Sequence, residues 1–147
     1  MQKLNCMKFA ELTEPELLEA EQDNVLHLPL GLLGFEKIKK YVLLADPDEA
    51  PFLWLQVMDD PNLAFLVLFP LTVIPNYRPD ITDEDAAFLD LEDPEDAIVL
   101  SIVTLRPEGQ STVNLKGPIV LNRRTLIGKQ VIPVNAAEFS LQHPLPA

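Results

Sequence analysis

The sequence has one cysteine, Cys6, and only five glycines in 147 residues. A lone cysteine excludes an internal disulfide and suits a reducing compartment. Basic residues are scarce: eleven Lys and Arg face twenty-three Asp and Glu, for a net charge of −12. Phosphate contacts need a basic surface, so that balance argues against nucleic acid as a direct partner. It favours solubility and basic partners instead. No apolar run reaches the roughly 18 residues of a membrane span, so no membrane partner is expected. The start, Met1 to Leu12, lacks the apolar core of a secretory signal, and nothing apolar precedes the lipoprotein-like triplet Leu4-Asn5-Cys6. The expected location is the cytoplasm.

Groups that carry chemistry are also missing. His27 and His143 lie far apart with no ligand spacing around them, so no metal site is expected. Asp80, Asp83 and Asp85 form an acidic run without the glycine and closing glutamate of an EF-hand. Gly31 and Gly34 lack the Lys and Ser/Thr of a phosphate loop. Ser101 and Ser111 have no glycine elbow, and Cys6 has no base beside it. The sequence therefore predicts no enzyme activity and no cofactor. The competing class is a small-molecule-binding β-barrel, or an enzyme whose site has no recognisable signature.

What is present is apolar sequence cut by proline. The apolar share of 48% and the length fit one domain, residues 1–147, with a useful core. Fourteen prolines predict many chain breaks and few long helices. The stretch Thr112 to Pro133 shows the pattern best. Strands are expected at Val113–Leu115 and Ile119–Leu121, and a last run at Leu126–Ile132 is broken by Gly128. Lys116-Gly117-Pro118 and Asn122-Arg123-Arg124 are the turns. This stretch carries Lys116, Arg123, Arg124 and Lys129 and no acid, in a chain that is otherwise acidic up to Asp96.

Upstream, Lys8–Leu12 reads as a strand. Thr13 to Glu16 has the form of a capping box, opening either a helix to about Glu21 or a solvated hairpin loop. Val25–Leu28 and Tyr41–Ala45 are further strands, separated by a turn-rich bend from Pro29 to Glu36. An Asp46-Pro47-Asp48 turn ends the second. Phe52–Met58 and Leu63–Phe69 are apolar on both faces and joined by Asp59-Asp60-Pro61-Asn62, which predicts a central β-hairpin. Trp54 and Phe65 are expected in the core. Thr82 is placed to cap a helix from Asp83 to about Leu89, with acids in its first turn. Glu92–Asp96 is an exposed acidic loop, Ala97–Leu105 a long buried strand, and Arg106–Gln110 a hairpin loop. Beyond Pro133, residues 134–147 form a short strand or a frayed tail, with His143 in it. Many short strands and one or two short helices predict an all-β, mostly antiparallel barrel or sandwich.

Several segments carry a family resemblance. Gly31-Leu-Leu-Gly-Phe-Glu36, Pro51-Phe-Leu-Trp-Leu-Gln56, Asn114-Leu-Lys-Gly-Pro-Ile119 with Asn122, and Gly128-Lys-Gln130 resemble the FliW flagellar assembly factors, in order and approximate spacing. Leu33 stands where that family's bend usually has proline. The resemblance implies a non-enzymatic cytoplasmic regulator on a mostly antiparallel β-barrel. It implies binding to the translational repressor CsrA, antagonised allosterically without occupying its RNA site, and alternatively to flagellin. Flagellin level would thereby be coupled to flagellin translation. Among the motif residues, Gly31, Gly34, Asn114 and Pro118 are expected as turn formers, and Phe35, Phe52, Trp54 and Leu115 as core. Gln56 and Gln130 either satisfy backbone groups or face a partner. The acids Asp59, Asp60, Asp83, Glu84 and Asp85 are read as exposed and as candidates for partner contact.

Overall fold

Apolar runs between turn residues become strands in the computed structural model, which describes residues 25–145 except 46, 50 and 108. The strand at Lys8–Leu12, the Thr13 capping box with its helix or loop, and Asp46 lie outside the described residues. In chain order the strands are β1 (Val25–His27), β2 (Lys40–Ala45), β3 (Phe52–Val57), β4 (Ala64–Leu68), β5 (Ala97–Thr104), β6 (Thr112–Val113), β7 (Ile119–Asn122), β8 (Gly128–Gln130) and β9 (His143–Pro144). One α-helix, α1 (Asp83–Phe88), sits between β4 and β5. All strand pairings are antiparallel and make one sheet, ordered β1-β2-β3-β4-β5-β6-β9, with β7 on β5 and β8 on β7. The all-β expectation holds.

The barrel is corrected. The free edges β1 and β8 meet in a single parallel bridge, His27↔Ile127, with one main-chain bond from His27 N to Leu126 O at 2.9 Å. Three-residue strands are too short to extend that contact into a ladder, so the sheet curls round without closing.

The β3–β4 hairpin pairs Phe52 with Leu68 through Gln56 with Ala64, and β3 lies between β2 and β4, as its two apolar faces require. β5 changes neighbours along its length. Its first half, Ala97–Leu100, pairs with β7, and its last two residues pair with β6. On its other side β4 reaches only Ser101 and Ile102. Pro70 ends β4 there: it has no N–H to extend a ladder and instead opens a 3₁₀ turn, Pro70–Thr72.

Two local expectations change, and one alternative is decided. The first strand of the Thr112–Pro133 stretch is Thr112–Val113, not Val113–Leu115. Gly128 does not break the last run but opens β8, opposite Leu121. A Cβ there would stand 2.2 Å from Leu121 Cδ2, so glycine makes room for a core leucine. Of the two readings beyond Pro133, the short strand holds among the described residues. His143–Pro144 pairs with Thr112–Val113, which makes His143 a strand residue, and Leu145 is buried beyond it.

Buried residues form three clusters. Tyr41, Leu55, Val67, Leu100 and Ile119 centre the first. Leu68, Tyr77, Val113 and Leu115 centre the second. Leu89, Val120 and Val131 make the third, which joins the end of α1 to β7 and the residue after β8. Leu115 is core as expected, and Phe52 and Phe65 pack partly buried against the second and first clusters. Trp54 is half-buried, its Nε1 donating to Glu49 Oε1 at 3.3 Å. Phe35 is corrected: it is 39% exposed and meets the ring of Phe65 edge-on at 5.0 Å. Burial pushes the Tyr41 phenol up to about 12, and its hydroxyl donates to Ile38 O at 3.2 Å.

Candidate functional site

The motif segments converge on fastenings between turns. In the bend from Pro29 to Glu36, Gly31 and Gly34 adopt φ of +67° and +88°. Leu33 N donates to Gln130 Oε1 at 2.9 Å, and Gln130 Nε2 donates to Gly117 O at 3.0 Å. One amide thus ties the bend to the turn before β7. Asn114 closes that turn, its Oδ1 accepting from Lys116 N at 3.0 Å and Gly117 N at 2.9 Å. Gln56 is 8% exposed, and its Nε2 reaches the carbonyls of Val57, Asp60 and Leu63 across the β3–β4 loop. Gln56 and Gln130 therefore satisfy backbone groups. Gln56 is buried, and both ends of the Gln130 amide are engaged within the chain.

Asn122 is a third fastening, read from the sequence only as a turn residue. It is fully buried. Its Nδ2 donates to Leu89 O at 2.7 Å and Asp90 O at 3.0 Å, just beyond α1. Its Oδ1 accepts from Arg124 N at 2.8 Å and Thr125 N at 3.3 Å. One side chain thus fixes the end of α1 and the β7–β8 turn together. Asp90 takes φ of +54° there.

The acids divide into two groups. Asp59 and Asp60 are exposed on the β3–β4 loop, where Asp60 Oδ1 accepts from Asn62 N at 3.0 Å. Asp83 and Glu84 are exposed in the first turn of α1, whose start is capped by Thr82 Oγ1 accepting from Asp85 N at 3.0 Å. No hydrogen bond or ion pair joins the two groups among the described residues. Asp85 is corrected. It is 7% exposed, because its carboxylate turns inward to pair with Lys129 Nζ on β8. That ammonium also lies 5.5 Å from the Phe88 ring centre.

The basic stretch is likewise met by acid. Arg124 lies 3.4 Å from both Glu92 and Asp96 carboxylates, and Arg123 Nε donates to Glu95 O at 3.2 Å. The N–H of Asp93, before that of Glu92 and the Arg124 guanidinium, holds the Asp96 carboxyl below the usual carboxylate range. Two of the four cations of the positive segment, Arg124 and Lys129, are thus paired with acid.

Breaking the Asp85–Lys129 pair tests its weight. Lys129→Met leaves a buried carboxylate without its counter-charge, and a loss of about 2 kcal/mol is expected, below the usual buried-pair value because Lys129 is partly exposed. Urea unfolding of Lys129→Met, Asp85→Asn and the double variant checks it. Coupling below about 0.5 kcal/mol between the two sites would reduce the pair to a surface contact.

Fold and site together define a class: an all-β domain whose motif residues hold turns and strand ends in place, under an acidic surface. Among the described residues there is no helix long and apolar enough to cross a membrane. The FliW protein family model matches residues 10–145. The flagellar assembly factor FliW of Geotalea uraniireducens (strain Rf4) is 38% identical over 143 residues, covering 97% of this chain and 83% of the relative. That of Natranaerobius thermophilus is 32% identical over 139 residues, covering 92% of this chain and 91% of the relative. A crystal structure of the flagellar assembly factor FliW superposes with a TM-score of 0.77 at 31% identity, covering 86% of this chain and 89% of that one. The chain belongs to the FliW family of flagellar assembly factors.

Proposed function

We propose that this protein is a cytoplasmic regulator that binds CsrA and, alternatively, flagellin. Bound to CsrA it relieves translational repression from outside the RNA site, and flagellin competes it away. Family membership across residues 10–145 is the observation that carries this reading. The charge of −12 supports it, since an RNA-binding partner presents basic surface. The exposed acids Asp59, Asp60, Asp83 and Glu84 are the proposed points of charge contact.

Two experiments test the two parts. Flagellin added to a preformed complex should release CsrA on size-exclusion chromatography, and a stable ternary species contradicts the competition. Neutralising the four acids as Asn and Gln should slow association with CsrA by about tenfold at low salt and little at high salt, because rim charges act on encounter rate. Association unchanged at every salt concentration would leave those acids as solvated surface only.

A further inference from the structure

Between β1 and β2 the chain forms an apolar knuckle. Three turns follow one another: Gly31 N donates to Leu28 O at 2.8 Å, Phe35 N to Leu32 O at 2.7 Å, and Ile38 N to Phe35 O at 3.1 Å. Leu33 and Gly34 are the tip, with Leu32 and Phe35 bridged beneath them. Leu33 is 69% exposed, Leu30 52% and Phe35 39%. Single exposed apolar residues are ordinary, but three large ones on one bend make a patch, and patches mark interaction surfaces.

The knuckle has a basic rim in an acidic protein. From Pro29 to Lys40 the one acid is Glu36, against Lys37, Lys39 and Lys40. The Glu36 carboxylate folds onto Gly34 N at 2.9 Å, and that N–H holds it below the usual carboxylate range. Lys39 is spent within the bend, where its Nζ donates to Pro29 O at 2.8 Å and Glu36 O at 2.6 Å. Lys37 and Lys40 are exposed and Lys116 half-buried, and none of them forms an ion pair among the described residues. Lys116 stands across Gln130, the side chain that holds both Leu33 N and Gly117 O. Beyond Lys40 the charge changes sign: Met58 N donates to Lys40 O at 3.2 Å, and the Asp59–Asp60 loop starts there.

We infer that this knuckle docks an amphipathic helix of a partner protein whose apolar stripe is bordered by Asp or Glu. The main-chain donors of Gly31, Leu33, Gly34, Phe35 and Ile38 are engaged inside the chain, so the tip is read through its side chains and not by strand pairing. A helix presents the matching surface, because residues three and four apart leave a hole for one projecting side chain such as Leu33. The lysines without ion pairs set the sign of the border. The fastenings to Gln130 and Lys39 hold the tip in shape before a partner arrives, which lowers the ordering cost of docking. This surface stands or falls apart from the CsrA and flagellin reading, which rests on family membership and on the exposed acids.

The probe is a synthetic helical peptide of about 20 residues, offered to the full-length protein. It carries leucine at heptad positions a and d, and glutamate at e and g, which keeps it from pairing with itself. Binding is followed by chemical-shift changes at the Leu33 and Gly34 amides at physiological salt, where distant charges are screened within about 8 Å. Leu33→Ser, at an exposed position, should abolish binding without changing the unfolding midpoint. Replacing the peptide's glutamates by lysines should weaken binding by about tenfold, and Lys37→Glu with Lys40→Glu should reverse that preference. Neutralising Asp59 and Asp60 should leave the peptide bound as tightly, although the same change is part of the set proposed to slow CsrA. No binding at about 1 mM, equal affinity for the two peptides, or unchanged binding by Leu33→Ser would each overturn the inference.

Discussion

Gly31→Ala is expected to lower the unfolding free energy by about 4 kcal/mol, whereas Gly34→Ala, in the same bend, costs about 1 kcal/mol. Both glycines have positive φ, at +67° and +88°, so both substitutions carry the left-handed penalty. Only at Gly31 is there also no space. A Cβ there would stand 2.5 Å from Phe35 O and 2.6 Å from Glu36 Cα, while one at Gly34 meets nothing within 4 Å. The obstructing atoms are backbone, and the backbone is pinned. Phe35 N donates to Leu32 O at 2.7 Å, Gly31 N to Leu28 O at 2.8 Å, and Leu33 N to Gln130 across the sheet. Relief would have to break one of these. Urea midpoints at constant slope measure the pair. Equal losses at the two positions would show that φ alone governs the bend and that the close approach relaxes freely.

The bend was legible in the sequence because its cause is local: glycine spacing and turn chemistry act over a few residues. The same holds for the β3–β4 hairpin, set by two apolar runs around Asp-Asp-Pro-Asn, and for the start of α1, set by Thr82. What could not be read depends on distant partners. Asp85 looks like any first-turn acid until Lys129, 44 residues away, is placed against it. Gly128 looks like a breaker until the Leu121 side chain occupies the space above it. A two-residue strand such as His143–Pro144 has no periodicity, and only pairing with Thr112–Val113 makes it one. Barrel closure failed as an expectation for the same reason, since it depended on how many residues β1 and β8 would bring to their meeting at His27 and Ile127. In the candidate site, the exposure of Asp59, Asp60, Asp83 and Glu84 was correctly read from their turn and cap positions.

Asn122→Ala should be as damaging as the bend substitution, at about 4 kcal/mol, because it removes four hydrogen bonds from a fully buried position. The Asp90 carbonyl keeps a second donor, Arg124 Nη2 at 2.9 Å, but the Leu89 residue is itself buried and its carbonyl has no replacement for Nδ2. At about 2–4 °C per kcal/mol for a chain of this size, the melting temperature should fall by roughly 10 °C. Asn122→Asp separates the hydrogen bonds from the volume. Aspartate keeps the acceptor for Arg124 and Thr125 N–H but turns a carboxylate oxygen toward two carbonyls, and burial disfavours its charge. Its folded pKa is therefore raised above the unfolded value. A charged form disfavoured in the folded state destabilises above the unfolded pKa, and the deficit fades as pH falls below it, where the protonated acid again offers a donor. Stability of the two variants should be compared at neutral pH and near pH 4. Asn122→Asp should lose ground against Asn122→Ala at the higher pH and regain it at the lower. A gap that does not change with pH would mean that water enters beside Leu89 and that Asn122 fills space rather than fastening α1 to the β7–β8 turn.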